Sequence, residues 1–190
     1  MRAINNASMR RSLFVLLLVV CGGLLPASAQ MQKPPAPLAP VKTQATLIIV
    51  RHAEKAGPQG DVPLTDAGHA RAAALAQVLR SANISTIFVT DLQRTQQTAA
   101  PIAKALKLTP AIVPAADVAG LAAKLAALPA GTTALVVNHN PFVLHLATAF
   151  GAKDVASMEE TEYDRMMILT PGADGKAELL TLRYGASSQP

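Results

Sequence analysis

Two arginines and two histidines stand where apolar segments of the sequence end. Arg51 and His52 follow one apolar run directly, Arg94 lies just beyond a second, and His139 comes at the end of a third. An arginine fork binds two phosphate oxygens at once and stays charged at any relevant pH. A neutral imidazole can attack phosphorus, and a second imidazole can stabilise the charge of the transferring group. The four residues therefore indicate phosphoryl chemistry, for which we predict neither a metal nor a cofactor.

The elements that must position these side chains alternate along the chain. Strand-like apolar runs lie at 46–50, 86–90, 111–113, 133–137, 165–170 and 177–183. Helix-like segments lie at 65–81, 93–107, 117–128 and 141–150. This alternation predicts parallel strands with crossover helices, in a three-layer α/β/α sandwich with a mostly parallel sheet.

Two local patterns refine this architecture. Pro101 stands inside the segment 93–107 and predicts a kink or a late start of that helix, because proline cannot donate a backbone hydrogen bond. The last two strand-like runs are separated by a short stretch rich in Pro and Gly, which is typical of a hairpin and predicts an antiparallel edge strand. Sites in such sheets form beyond the carboxyl ends of the strands, so the four cationic side chains are expected to share one pocket.

The N-terminus is typical of an exported protein. Residues 1–29 combine arginines, an apolar stretch from Leu13 to Cys21 and the small-residue cleavage site Ala27–Ala29. Residues 30–44 are rich in proline and predict an extended linker, which leaves 45–190 as the catalytic domain. We therefore predict a periplasmic or secreted protein without stable membrane insertion after cleavage. A retained membrane anchor, or a lipid on Cys21, is the alternative.

Composition limits the classes of partner. Hydrophobic residues make up 51% of the chain, which is enough to build a packed core. Of 17 basic residues, three arginines lie in the predicted signal, so 14 basic residues remain against 12 acidic ones and the net charge falls from +5 to +2. The sequence has no run of basic residues that would indicate a nucleic-acid partner, so none is predicted. The one cysteine, Cys21, also lies in the signal, so neither a disulfide nor a thiol nucleophile is expected.

Four motifs carry a family resemblance. The segments "VRHAEK", "LTDAGHARA", "TDLQRTQQTAAPIA" and "NHNP" resemble, in this order, the motifs of the histidine phosphatase superfamily, also called phosphoglycerate mutase-like. The resemblance covers most of residues 46–150, and its compactness is similar to that of small bacterial members, including the phosphohistidine phosphatases. The segment "EYDRMMIL" is similar to a recurring segment of exported members.

The resemblance implies a role for each of the four residues. His52 would be the nucleophile that becomes phosphorylated, Arg51 and Arg94 would hold the phosphate, and His139 would complete the phosphate pocket. The implied activity is a metal-independent phosphatase that forms a phosphohistidine and then hydrolyses it. Its substrate would be a phosphorylated small molecule or a phosphoprotein. Asn138 departs from the family pattern, which has Gly or Ser before this histidine.

The proton donor of the family has no clear counterpart in this sequence. That donor is a carboxylate in an insertion after the second helix, whereas this chain is short there and offers only Asp117. Asp164 precedes a predicted antiparallel strand, whose start would lie at the same edge of the sheet as the pocket. We therefore predict Asp164 or Asp117 as the acid, if the protein has one.

Two other functions stay open at this stage. A phosphate- or phosphoprotein-binding module could keep the pocket and lack turnover, and the missing acid favours this alternative. An exported phosphatase acting on a sugar or lipid phosphate of the cell envelope is the other, because the sequence does not describe the pocket walls.

Overall fold

The computed structural model describes residues 38–172 and 177–188. The predicted signal 1–29, the first part of the predicted linker, and residues 173–176 and 189–190 lie outside the described residues. Within the described residues, no helix is long and apolar enough to cross a membrane.

The elements follow the predicted alternation closely. The strands are β1 (Thr46–Arg51), β2 (Thr86–Thr90), β3 (Ala111–Val113), β4 (Thr133–Asn138), β5 (Arg165–Pro171) and β6 (Ala177–Arg183). The helices are α1 (Asp66–Leu79), α2 (Gln93–Leu106), α3 (Val118–Ala126) and α4 (Phe142–Ala149).

The six strands form one mixed sheet. Their order across the sheet is β3-β2-β4-β1-β5-β6. The first four run parallel, while β5 pairs antiparallel with both β1 and β6. The sheet therefore confirms the predicted mostly parallel α/β architecture with an antiparallel edge.

Alternate residues of the central strands build a separate core on each face of the sheet. Leu47 and Ile49 of β1 pack with α3 and α4, whereas Ile48 and Val50 pack with α1 and α2. This follows from the two-residue period of a strand, which sends successive side chains to opposite faces. Because β1 is covered by helices on both faces, its sequence is a continuous apolar run.

The two helices next to the site begin in different ways. Thr65 caps α1, since its hydroxyl accepts a hydrogen bond from the Gly68 backbone amide at 3.1 Å. Helix α2 begins at Gln93 without a side-chain cap and continues through Pro101 to Leu106. The late start suggested for this helix is therefore wrong, because the chain accommodates the proline inside a continuous helix.

The last part of the predicted linker packs against the domain. Leu38 and Val41 contact the core cluster on the α3–α4 face, and the Val41 amide donates to the Ala149 carbonyl at 2.8 Å. Thr43 is buried and accepts a hydrogen bond from the Ala45 amide. Packed structure therefore begins before the expected boundary at residue 45.

Candidate active site

The carboxyl ends of two neighbouring strands bring the histidines together. Arg51 at the end of β1 is in register with Asn138 at the end of β4, and the His52 amide donates to the Asn138 carbonyl at 2.9 Å. The ring centroids of His52 and His139 lie 5.2 Å apart. The chain thus places both imidazoles at one edge of the sheet, as expected from the topology.

His52 is held in one orientation by its own backbone. The ring is buried, with 3% of the residue exposed, and Nδ1 lies 2.7 Å from the Ala53 carbonyl oxygen. A carbonyl oxygen can only accept, so Nδ1 carries the proton and the Nε2 lone pair is left for bonding. This tautomer is the one that a nucleophilic imidazole requires.

Burial and positive neighbours keep both rings neutral. Burial lowers the pKa of His52 to about 3, and the charges of His139, Arg51 and Arg94 act in the same direction. Burial, followed by the charges of Arg94 and Arg51, lowers the pKa of His139 to about 4. A neutral ring retains its lone pair at physiological pH, which suits attack on an electrophile.

A pair of buried threonines holds His139. Its Nε2 lies 3.0 Å from the Thr90 hydroxyl, which lies 2.8 Å from the Thr95 hydroxyl. Thr90 ends β2 and Thr95 lies in the first turn of α2, so this chain of contacts joins two elements to the imidazole. The other ring nitrogen, Nδ1, is buried without a hydrogen-bond partner in the described part of the chain.

The guanidinium of Arg51 is fixed by the loop before β5. Its Nη1 donates to the backbone carbonyls of Glu159, Glu160 and Glu162 at 3.2, 2.8 and 3.2 Å. Its Nη2 donates to the Glu160 carboxylate at 3.0 Å. The Tyr163 ring lies against the same guanidinium, with the central carbon 4.4 Å from the ring centroid. Arg51 is therefore anchored through its terminal nitrogens, and its Nε is left without a partner.

Arg94 is positioned from the start of α2. Its Nη1 donates to the Gly60 carbonyl at 3.0 Å. The Thr98 hydroxyl donates to the Arg94 carbonyl at 2.6 Å and accepts from the Ala53 amide at 2.9 Å. This buried hydroxyl ties the segment that carries His52 to the helix that carries Arg94. Burial and the charge of Arg51 lower the pKa of Arg94, as expected for two guanidinium groups near each other.

Three buried nitrogens of the predicted site lack a hydrogen-bond partner. Among the described residues, five buried side-chain polar atoms have none, and three of these are Arg51 Nε, Arg94 Nε and His139 Nδ1. Buried polar groups are nearly always hydrogen-bonded, so an unpaired set from three convergent residues is typical of a binding site. Two of the atoms are cationic donors, and their partner would be an oxyanion.

The two carboxylates predicted as acids have other partners. Asp117 caps α3, and its Oδ1 accepts from the Gly120 amide at 2.8 Å. Asp164 accepts from Arg183 Nη1 at 2.6 Å and from the Ser188 amide at 3.2 Å. Although burial alone would raise it, these hydrogen bonds lower the pKa of Asp164. Neither carboxyl group is therefore poised to donate a proton at the two histidines.

Sequence analysis missed the contribution of the loop before β5. Glu160 and Tyr163 contact Arg51, while Asn140 Nδ2 donates to the Met158 carbonyl at 3.0 Å and to Glu160 Oε1 at 3.3 Å. The one available signal was the "EYDRMMIL" segment, whose tyrosine is Tyr163. That segment indicated a family likeness without assigning a contact to any of its residues.

Comparison with known proteins supports the resemblance. Residues 47–117 match the family model described as histidine phosphatase superfamily, branch 1. In a comparison with curated proteins, no sequence matches the chain.

Two solved structures illustrate the likeness in fold. One is the protein histidine phosphatase SixA complexed with tungstate, with a TM-score of 0.59 and 22% identity over 73% of this chain and 96% of that one. The other is the mycobacterial glucosyl-3-phosphoglycerate phosphatase Rv2419c with inorganic phosphate, with a TM-score of 0.58 and 17% identity over 75% of this chain and 98% of that one. The chain is thus similar to the histidine phosphatase superfamily in sequence over residues 47–117, and it shares the fold of these two structures over about three quarters of its length.

Proposed function

We propose that this protein is a phosphatase that hydrolyses a phosphomonoester or a phosphohistidine through a phosphohistidine on its own His52. The observation that carries the proposal is the convergence of Arg51, Arg94 and His139 on a neutral His52, with one buried, unpaired nitrogen on each of the first three. A phosphoryl group offers the oxygens that these nitrogens lack.

The first step follows from the geometry of His52. Its Nε2 lone pair forms a bond to phosphorus while the bond from phosphorus to the leaving group breaks. The proton stays on Nδ1 and is donated in a hydrogen bond to the Ala53 carbonyl, which stabilises the positive charge that develops on the ring. In the second step water attacks phosphorus, the N–P bond breaks and its electron pair returns to Nε2.

The arginines and His139 stabilise charge in both steps. Arg51 and Arg94 donate through Nε to phosphoryl oxygens, and their charge does not depend on pH. His139 donates through Nδ1 when the Thr90 hydroxyl donates to its Nε2. Because these side chains already supply positive charge, the proposed mechanism needs no metal.

The substrate class follows the family resemblance. The SixA neighbour is described as a protein histidine phosphatase and the mycobacterial neighbour as a phosphatase of a sugar phosphoglycerate. The proposal therefore includes phosphorylated proteins and phosphorylated small molecules. Export to the periplasm or beyond, as the N-terminal sequence predicts, would limit these to substrates of the cell envelope or its surroundings.

A burst experiment separates this function from a phosphate-binding module. An aryl phosphate such as 4-nitrophenyl phosphate has a good leaving group, so formation of the phosphohistidine needs little acid. Wild-type protein is expected to release a burst of nitrophenol stoichiometric with the protein, in the presence or absence of chelator. His52→Ala is expected to show no burst while still binding inorganic phosphate. A wild-type protein that binds phosphate but shows no burst would contradict the proposed activity and favour the binding module.

A further inference from the structure

We infer that Glu160, in the loop before β5, is the proton-transfer residue of the site: it protonates the leaving group and then accepts a proton from the attacking water. This inference rests on the proposed phosphatase function. In the family that the chain resembles, the acid lies in an insertion after the second helix. The inference places it in the loop before β5 instead.

The Glu160 carboxylate lies between two residues of the proposed site. Glu160 Oε2 lies 3.0 Å from Arg51 Nη2, and Oε1 lies 3.3 Å from Asn140 Nδ2. The carboxylate thus bridges the residue before the nucleophile and the residue after His139. The Arg51 side chain is 3% exposed and that of Glu160 is 81% exposed, so the carboxylate stands between a buried guanidinium and solvent.

The direction of phosphoryl transfer sets the side of the pocket on which a proton is needed. Phosphoryl transfer is in line, so the leaving group departs on the side opposite the attacking Nε2 of His52. Since both imidazoles are buried, with His52 3% and His139 7% exposed, the leaving group must emerge toward the open side of the pocket. Glu160 is a carboxylate on that open side and already contacts a phosphate-binding arginine.

Hydrogen bonds fix the loop that carries Glu160. The Arg51 guanidinium donates hydrogen bonds to three backbone carbonyls of this loop, and Asn140 donates to the Met158 carbonyl. The backbone that carries Glu160 is therefore held by the same residues that line the pocket. A proton-transfer group needs this positioning, because it must lie within hydrogen-bond reach of the proton it moves.

Substrate binding would bring a phosphoryl group close to Glu160. The groups that face it are Arg51 at the end of β1, Lys55 beyond β1 and Asn140 beyond β4. A phosphate bound to Arg51 Nε would therefore lie on the same guanidinium that already contacts the Glu160 carboxylate.

Other carboxylates near the site are engaged elsewhere. In the described ranges, Glu54 pairs with Arg71, Glu162 pairs with Arg165 and Arg183, and Asp164 pairs with Arg183. Asp61 and Asp91 accept from the backbone amides of Gln93 and Ala115. Glu160 differs from these because its ionic partner is a residue that binds the phosphate.

The protons and electrons balance in both steps. As the N–P bond to His52 forms, the leaving oxygen takes the electron pair of the breaking P–O bond and the proton of the Glu160 carboxyl. In the second step the Glu160 carboxylate takes a proton from water as the water oxygen bonds to phosphorus. The N–P electron pair returns to His52, and Glu160 is again protonated for the next cycle.

The test is the dependence of the rate on the leaving group in Glu160→Gln. This change keeps a side chain that can bond to Asn140 and alters an exposed position, so the fold is expected to persist. We expect kcat/KM for ethyl phosphate, a poor leaving group, to fall by about 10²-fold or more, as general acid catalysis contributes roughly 10²–10⁴-fold. The burst rate on 4-nitrophenyl phosphate should fall by less than about 10-fold, since this leaving group needs little acid.

Glu178→Gln provides a matched control, because it removes the same charge from an exposed position on β6. It should behave as wild type on both substrates. If Glu160→Gln loses activity equally on both substrates, or on neither, Glu160 is not the proton-transfer residue. If wild-type protein gives no burst on 4-nitrophenyl phosphate, the proposed phosphatase function fails first, and the inference fails with it.

Discussion

The rings of His52 and His139 lie at an interplanar angle of 57°, with centroids 5.2 Å apart, at the ends of adjacent parallel strands. Each imidazole therefore forms part of the surroundings of the other. Both are buried, both have a lowered pKa, and the same two arginines act on both. The pair therefore stays neutral beside two cationic guanidinium groups.

The first prediction concerns the pH dependence of stability. The folded-state pKa values of about 3 and about 4 lie below the ordinary value of 6.5, so the unfolded chain binds more protons between these limits. The free energy of unfolding should therefore be greatest above pH 6.5 and should fall as the pH drops through this window. Urea unfolding of wild type, measured from pH 7.5 to pH 4, checks this expectation.

His52→Asn is the matching variant, because it removes one of the two titrating rings. Its loss of stability toward low pH should be shallower than that of wild type. His69→Asn changes an exposed histidine on α1 and should leave the slope as it is. Equal slopes for wild type and His52→Asn would show that burial of this ring does not govern the pH response.

The second prediction concerns the Thr98 hydroxyl, which joins the Ala53 amide to the Arg94 carbonyl. Thr98→Val keeps the shape of the side chain but leaves the buried Ala53 amide without a partner. We expect a loss of about 1–3 kcal/mol in the free energy of unfolding. We also expect kcat/KM to fall, because the two segments that carry His52 and Arg94 are no longer tied.

Thr148→Val tests the same substitution at an exposed position of α4. It should change stability by less than about 0.5 kcal/mol. The account of Thr98 is contradicted if both variants unfold at the same urea concentration as wild type and turn over an aryl phosphate equally well.

The third prediction concerns Gly68 in the first turn of α1. A Cβ added here would meet the carbonyl oxygen of Glu54 closer than van der Waals contact allows, and the atom it meets is backbone. Gly→Ala inside a helix ordinarily stabilises by about 0.5–1 kcal/mol. At this position the sign should reverse, with a loss of about 1–3 kcal/mol from the steric conflict.

The segment that Gly68→Ala would displace follows His52, the proposed nucleophile, so activity should fall together with stability. Thermal unfolding of Gly68→Ala beside Ala70→Gly, an exposed site on the same helix, gives the comparison. A higher midpoint for Gly68→Ala than for wild type would show that the helix has room to move away from Glu54.

Residue type and strand position were enough to predict which side chains meet at one edge of the sheet. Arg51, His52 and His139 stand at the ends of strands that the apolar runs mark clearly, and parallel strands deliver their carboxyl ends to one edge. Arg94 could be predicted for a related reason, since it opens the helix that follows β2. These residues are placed by local sequence patterns and by the topology that such patterns imply.

The loop before β5 could not be predicted in the same way. Its residues follow neither a helical nor a strand period, and its position depends on hydrogen bonds to Arg51 and Asn140, which are distant along the chain. Asp164 was expected near the pocket because it precedes β5, and Arg183 and the C-terminal segment hold it instead. Thr98 could not be singled out, because a threonine in a helix carries no sign of its partners.

The most direct test of the account is to identify the phosphorylated residue. Wild-type protein mixed with 4-nitrophenyl phosphate is quenched at alkaline pH, which preserves phosphohistidine, and the phosphopeptide is mapped by mass spectrometry. The account predicts one phosphate on His52, its loss in His52→Ala, and a much smaller amount in Arg51→Ala. Phosphate on any other residue, or turnover by His52→Ala at the wild-type rate, would contradict it.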